Sequence, residues 1–155
     1  MIVLQDDWTP LFSDLEERVS EGRRRILMSQ LAGAIVDVTQ QNFGDEGIDR
    51  PWDWAELSED YAIEFHDGDA TPTLILPDDR HEELHPGEPH MRDNFNVEIG
   101  SDFATITNLA EYASEHQEGK GRMYRPFFPI NLDGELTPGM RERMEKILDA
   151  HFTLV

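Results

Sequence analysis

The chain has 155 residues, no cysteine, and 13 basic against 33 acidic side chains, which gives a formal net charge of −20. We predict a single domain over residues 1–155, because domains commonly run to about 100–150 residues. A chain of this size buries about 70% of its unfolded surface, which is enough for one core. The absence of cysteine excludes a disulfide scaffold and a thiolate zinc site. The acidic balance argues against sequence-specific nucleic-acid binding and against anionic membranes, since both require clustered positive charge.

Two helical patterns open the chain. Three apolar residues recur at helical spacing near its start: Phe12, Leu15 and Val19. They follow Thr9-Pro10, a pair typical of a helix N-terminus. A second helix is predicted over residues 21–42, with Gly44 placed to end it. Its apolar stripe comprises Ile26, Leu27, Leu31, Ala34, Ile35 and Val38.

The start of the second helix carries the only dense basic run in the chain, Arg23-Arg24-Arg25. Positive charge in a first turn is mildly unfavourable to the helix dipole, so the helix itself does not call for it. Two interpretations stay open, a solvated face and a docking patch for an acidic partner surface.

Residues 44–90 hold most of the negative charge. This stretch contains 15 acidic and two basic residues, a net of −13, together with five prolines. Such a composition predicts a loop-rich insertion within the domain, with short secondary-structure elements at most. Long loops in compact domains are usually functional or disordered.

After the insertion the hydrophobic period changes from helical to two. Alternating residues predict one strand over 95–99 and another over 103–108, joined by a turn at 100–102 into a hairpin. A short helix is expected over residues 110–117, ended by Gly119.

Two further elements complete the predicted fold. Residues 123–130 are apolar and aromatic, but Pro126 and Pro129 limit them to an edge strand or an extended segment. Thr137-Pro138 opens a terminal helix with one apolar face, formed by Met140, Met144, Ile147, Leu148 and His151. The predicted fold class is α+β: N-terminal helices, a small antiparallel sheet and a C-terminal helix.

The segment His81-Glu82-Glu83-Leu84-His85 matches H-E-x-x-H. On a helix this spacing lets two histidines bind zinc while the glutamate acts as general base. Here the motif lies between Pro77 and Pro86, which leaves barely two turns of helix. The expectation is therefore no metal, no other cofactor and no catalytic residue. The alternative is a zinc site of His81, His85 and His90, with Glu82 as base.

Several short motifs follow one another in a distinctive order. They are Asn42-Phe43-Gly44, Trp54-Ala55-Glu56-Leu57-Ser58, Met91-Arg92-Asp93-Asn94-Phe95, Tyr112-Ala113-Ser114-Glu115-His116-Gln117-Glu118-Gly119, and Arg125-Pro126-Phe127-Phe128. In this order the chain resembles the phage virion morphogenesis family, the tail-completion and head–tail joining proteins of Mu-like and related tailed phages and prophages. The resemblance covers about residues 10–150. Two departures are the acidic loop at 81–90 and Asn94, where serine or threonine is common.

The resemblance implies a structural protein rather than an enzyme. It implies a homo-oligomeric ring at the tail–head end of the virion, with the tail tube and the connector as partners. The chain would reside in the host cytoplasm before assembly. Under this interpretation, acidic residues of the 44–90 segment or near 98–118 would face the DNA channel and keep phosphates from binding its wall.

The motifs also supply candidate interface residues, since aromatic and arginine side chains are enriched at subunit contacts. They are Trp52, Trp54, Tyr61, Tyr112, His116, Arg125 and Phe127. The alternative for each is packing within its own chain. Two other function classes stay open: a small zinc-dependent metallopeptidase that uses the HEELH segment, and an acidic interaction or DNA-mimic module.

Overall fold

A computed structural model describes residues 20–44, 49–51, 53, 54, 56, 58–66, 68, 77–118, 125–131 and 133–153. Its elements, in chain order, are α1 (Glu21–Asn42), α2 (Glu59–Phe65), α3 (Asp78–Leu84), a 3₁₀ turn (Met91–Asp93), β1 (Phe95–Ile99), β2 (Ala104–Asn108), α4 (Ala113–Glu118) and α5 (Pro138–Thr153). The fold class is α+β, as predicted. The helix expected around Phe12, Leu15 and Val19 lies outside the described residues.

Helix α1 has the predicted bounds and buries one long face. The buried residues are Leu27, Met28, Ala32, Ala34, Ile35, Val38, Thr39 and Asn42. Ile26 was predicted to lie in this stripe, but its side chain is 56% exposed. One residue of α-helix turns the side chain by about 100°, which carries Ile26 off the face that begins at Leu27.

The β-hairpin is present with the predicted turn. β1 pairs antiparallel with β2 in the register Phe95↔Asn108, Val97↔Ile106 and Ile99↔Ala104. Phe95 and Ile106 pack against the main core, whereas Ile99 packs against a smaller cluster at the start of α1. One face of the hairpin therefore lies against the helices, because paired residues share a face.

Helix α5 runs antiparallel to α1 and covers it. Leu148 near the end of α5 packs with Leu27 and Met28 near the start of α1. Further along, Arg143 donates to Asp37 at 3.2 Å. Met140 and Met144 enter the main core, so the predicted apolar face of α5 is confirmed.

The segment before α5 was predicted as an edge strand or an extended segment, and it is not an edge strand. All six residues from 125 to 130 are buried, and the described segment makes one isolated bridge, between Ile130 and Leu136, rather than a strand ladder. The backbone groups are satisfied by a side chain instead, because Gln117 Oε1 accepts from the N–H groups of Phe127 and Phe128 at 3.0 and 2.9 Å. This segment is an internal strap rather than an edge strand.

Within the predicted acidic insertion the described residues form two seven-residue helices, α2 and α3. The start of the insertion is held by Asn42, which is fully buried. Its side-chain amide donates to the carbonyls of Asp49 and Phe127 and accepts from the N–H of Asp49. No helix of the described residues is long and apolar enough to cross a membrane.

Candidate functional site

The H-E-x-x-H segment does not form the helix face that zinc binding needs. His81 lies in the last turn of α3, whereas His85 is the first residue beyond the helix, with φ −135° and ψ 63°. Pro86 follows directly and cannot continue the helical hydrogen bonds. The His85 N–H makes the last helical bond, to the His81 carbonyl at 2.7 Å, but the backbone of His85 itself has left the helical conformation.

The structure nevertheless brings the histidines together in a row of rings, which we call the imidazole cluster. His81 stacks on His90 with ring centroids 3.8 Å apart and lies 5.4 Å from His85. The row continues through Tyr112, 5.0 Å from His85, to His116, 6.2 Å further on. The cluster joins α3 and the segment after it to α4.

The cluster is not arranged as a metal centre. Nitrogen lone pairs lie in the ring planes, so two stacked imidazoles cannot direct them to a common point. His90 Nε2 instead lies 3.1 Å from Asp78 Oδ1. Among the described residues no group of three or more histidine, aspartate or glutamate side chains could hold a metal ion.

Burial dominates the electrostatics of these rings. It lowers the pKa of His81, and the neighbouring His90 and His85 lower it further. Burial also lowers the pKa of His116, and the Arg125 guanidinium acts in the same direction. The Nε2 atom of His81 and the Nδ1 atom of His116 are buried without a hydrogen-bond partner among the described residues. Burial thus favours the uncharged form of His81 and of His116.

The two tyrosines of this region have raised pKa values, so they stay protonated near neutral pH. Burial raises the pKa of Tyr112, with Glu88 contributing in the same direction. Burial likewise raises the pKa of Tyr61, which the nearby Arg125 guanidinium partly opposes. Neither phenol is therefore prepared to act as a base or nucleophile near neutral pH.

We expect acid to destabilise the chain through His81. Its folded pKa lies below the unfolded value, so its stabilising contribution is complete above about pH 6.5 and is lost as the pH falls through the folded pKa. Urea titrations between neutral and mildly acidic pH should show this loss in the wild-type chain. His81→Phe should lose less free energy of unfolding over the same range, because it keeps a ring on His90 but cannot be protonated.

A matched control separates this effect from general acid titration. Gln30→Phe introduces the same side chain at an exposed position of α1, outside the imidazole cluster, and should keep the wild-type pH dependence. Equal pH dependence in the wild-type and His81→Phe chains would contradict a role for His81 protonation.

The residues proposed as subunit contacts are placed by the fold as follows. Trp54, Arg125 and Phe127 are buried inside the chain, which corrects their prediction as exposed contacts and favours the packing alternative. Trp54 Nε1 donates to the Pro126 carbonyl at 3.1 Å, and the Arg50 guanidinium lies 3.7 Å above the indole ring. These bonds fix the acidic insertion to the internal strap.

The other candidates lie at or near the surface. Tyr61, Tyr112 and His116 are half-buried. Tyr61 and His116 lie near Arg125, whose N–H donates to the His116 carbonyl at 3.1 Å. Their prediction as interface residues stays a prediction. Trp52 and Gly119 lie outside the described residues. The motif residues thus converge on one region although they are distant in sequence.

Sequence reasoning missed two exposed isoleucines. Ile26 on α1 and Ile63 on α2 are 56% and 63% exposed, and each is flanked by charges of one sign. The sequence does show charged residues next to both isoleucines: Arg23 and Arg25 beside Ile26, and the acidic residues of α2 beside Ile63. Only the fold shows that each apolar side chain points outward.

Comparison of the chain with protein-family models, curated proteins and solved structures found no match.

Proposed function

We propose that the chain is a non-enzymatic virion-assembly protein that forms a ring at the tail–head end, as a tail-completion or head–tail joining subunit. The observation that carries the proposal is the convergence of its motifs. Trp54 of the W-x-x-L-S motif bonds the carbonyl of Pro126 in the R-P-F motif. Arg125 of the R-P-F motif bonds the carbonyl of His116 in the Y-A-x-x-H motif.

This convergence supports a structural role because the motif residues use their hydrogen bonds and buried rings to hold the chain together. Phe127 packs against Phe43, with centroids 4.9 Å apart, so the motif at the end of α1 joins the same unit. Residues that share one packed unit are those expected to define a common fold. The catalytic alternative requires convergent donors around a reacting atom, and the stacked imidazoles do not provide them.

The surface charge fits a position next to DNA. Exposed carboxylates occur in the later described part of the acidic insertion at Glu82, Glu83 and Glu88. In a ring, an acidic lumen would let DNA pass without binding, because like charges repel the phosphates. A ring whose lumen is basic or neutral would contradict this part of the proposal.

Removing the chain from a phage or prophage that encodes it tests the function. Electron microscopy of the induced lysate should show filled heads and unjoined tails, with few complete virions. Supplying the wild-type chain in trans should restore complete particles. Normal numbers of infectious virions without the chain would overturn the proposed function.

A further inference from the structure

The start of α1 presents two arginines and an apolar side chain to solvent. Arg23 and Arg25 are exposed on either side of Ile26. Arg24 differs, since it is largely buried and its Nε donates to Asp102 Oδ1 at 2.7 Å in the hairpin turn. Among the described residues neither Arg23 nor Arg25 forms an ion pair. We call this surface the arginine face.

Two glycines leave the backbone of α1 without side chains beside the arginine face. Gly22 and Gly33 lie four residues before and seven after Ile26, which places them on the same side of α1. A Cβ atom at either position would meet nothing within 4 Å. Glycine inside a helix costs about 1 kcal/mol relative to alanine, and packing within the chain does not require it at Gly33. A bare backbone does permit close approach by another chain.

Helix α2 carries the opposite arrangement. Glu59, Asp60 and Glu64 are exposed around Ile63, whereas Ala62 is buried against the chain. Residues three and four apart are neighbours on a helix surface, so Glu59 and Asp60 lie beside the exposed Ile63, and Glu64 follows it directly. We call this surface the acidic face.

The two faces cannot meet within one chain. Tyr61 of α2 lies near Arg125, two residues before Phe127, whose carbonyl accepts from Asn42 at the C-terminal end of α1. Arg23 lies 19 residues earlier along the same helix. At 1.5 Å per residue the two ends of α1 are about 28 Å apart. Contact between the faces therefore requires two molecules.

We propose that the arginine face of one copy docks on the acidic face of the next, with Ile26 and Ile63 in contact between the charges. This inference rests on the proposed ring function and identifies its subunit interface. Opposite charges around an apolar centre match the polar rim and apolar core of protein interfaces. The opposite charges of the two faces would also orient one copy relative to the next, because copies with a net charge of −20 repel each other over most of their surface.

Such a contact joins two different surfaces, so it is heterologous. Each added subunit leaves one free face of each kind, and the contacts close into a ring if the rotation between subunits permits. The basic run Arg23-Arg24-Arg25 was interpreted above as a possible docking patch for an acidic partner. In this proposal the acidic partner is a second copy of the chain.

Charge reversal tests the interface. Sedimentation velocity should show wild-type oligomers at low salt that dissociate at about 1 M salt, where the Debye length is about 3 Å. Arg23→Glu/Arg25→Glu and Asp60→Lys/Glu64→Lys should each weaken association at least about tenfold, because like charges now oppose each other. An equimolar mixture of the two variants should restore assembly, since each supplies the charge that the other lacks.

Controls separate the contact from folding and net charge. Glu98→Lys/Glu145→Lys makes the same charge change as Asp60→Lys/Glu64→Lys, on exposed residues of β1 and α5, and should leave the contact intact. Circular dichroism should show native helix content in every variant. Ile26→Ser and Ile63→Ser give a second test without a change of charge, and each should weaken association.

Three results would overturn the inference: a wild-type chain that stays monomeric at every concentration and salt, charge-reversal variants that assemble like the wild type, or a mixture that fails to restore assembly. The lysate experiment separates this failure from failure of the proposed function. Suppose that tails stay unjoined without the chain, but that the charge-reversal variants assemble like the wild type. That result would support the proposed function and contradict this subunit interface.

Discussion

Replacing Phe127 with alanine is expected to lower the free energy of unfolding by about 3–5 kcal/mol. The ring is 1% exposed and packs against Phe43 and Phe128, with centroids 4.9 and 5.0 Å away. The internal strap that carries Phe127 is fixed by Gln117, so the backbone is poorly able to collapse into the space left by the ring. Urea denaturation measures the loss.

Phe152→Ala is the matched control for this prediction. Phe152 lies at the exposed end of α5, where substitutions usually change stability by no more than about 0.5 kcal/mol. A typical domain has only about 5–15 kcal/mol of stability, so the two variants should be easily distinguished. Equal losses would contradict the placement of Phe127 at the centre of the core.

Asn42→Leu is expected to be nearly as damaging, at about 3 kcal/mol or more, because a buried group left without its partner costs about 1–3 kcal/mol. Leucine has a similar size but cannot replace the bonds to Asp49 and Phe127, which are 2.9–3.1 Å long. The change therefore leaves polar backbone groups of both residues unsatisfied. It also releases the start of the acidic insertion from the core.

The same substitution on the surface provides the comparison. Asn96→Leu, at an exposed position of β1, should change the free energy of unfolding by less than about 1 kcal/mol. If Asn42→Leu were as stable as the wild-type chain, the buried bonds of Asn42 would not hold the insertion in place.

Local patterns were sufficient for the regular elements. The limits of α1, the presence of the hairpin and the start of α5 at Thr137-Pro138 follow from periodicity, turn residues and capping, which act between residues close in sequence. The Thr137 hydroxyl indeed accepts from the N–H of Met140 at 3.4 Å. Ile26 is the exception. It lies at the edge of the apolar stripe of α1, where the sequence pattern does not show whether a side chain is buried or exposed.

Long-range contacts account for what the sequence did not reveal. The internal strap has the apolar composition of a strand, but its N–H groups at Phe127 and Phe128 bond to Gln117. Nothing in a local pattern indicates that a polar side chain on α4 would replace a neighbouring strand. The candidate interface residues Trp54 and Arg125 are buried for the same reason, since each has its backbone or side-chain partner in a distant segment.

The histidines illustrate the difference between a motif and a site. The H-E-x-x-H spacing is visible in the sequence, but its meaning depends on whether both histidines are helical. The helix ends before His85, and the rings of His81 and His90 stack. The arginine and acidic faces, by contrast, could be identified only after α1 had fixed the distance between them.

The most direct test of the proposed function is electron cryomicroscopy of the tail–head end of a virion whose genome encodes this chain. A ring of identical subunits that fits the α1–α5 pair and the β-hairpin, with the arginine face of each copy against the acidic face of the next, is the expected result. A complete tail–head junction resolved to side chains without this fold would contradict the assignment.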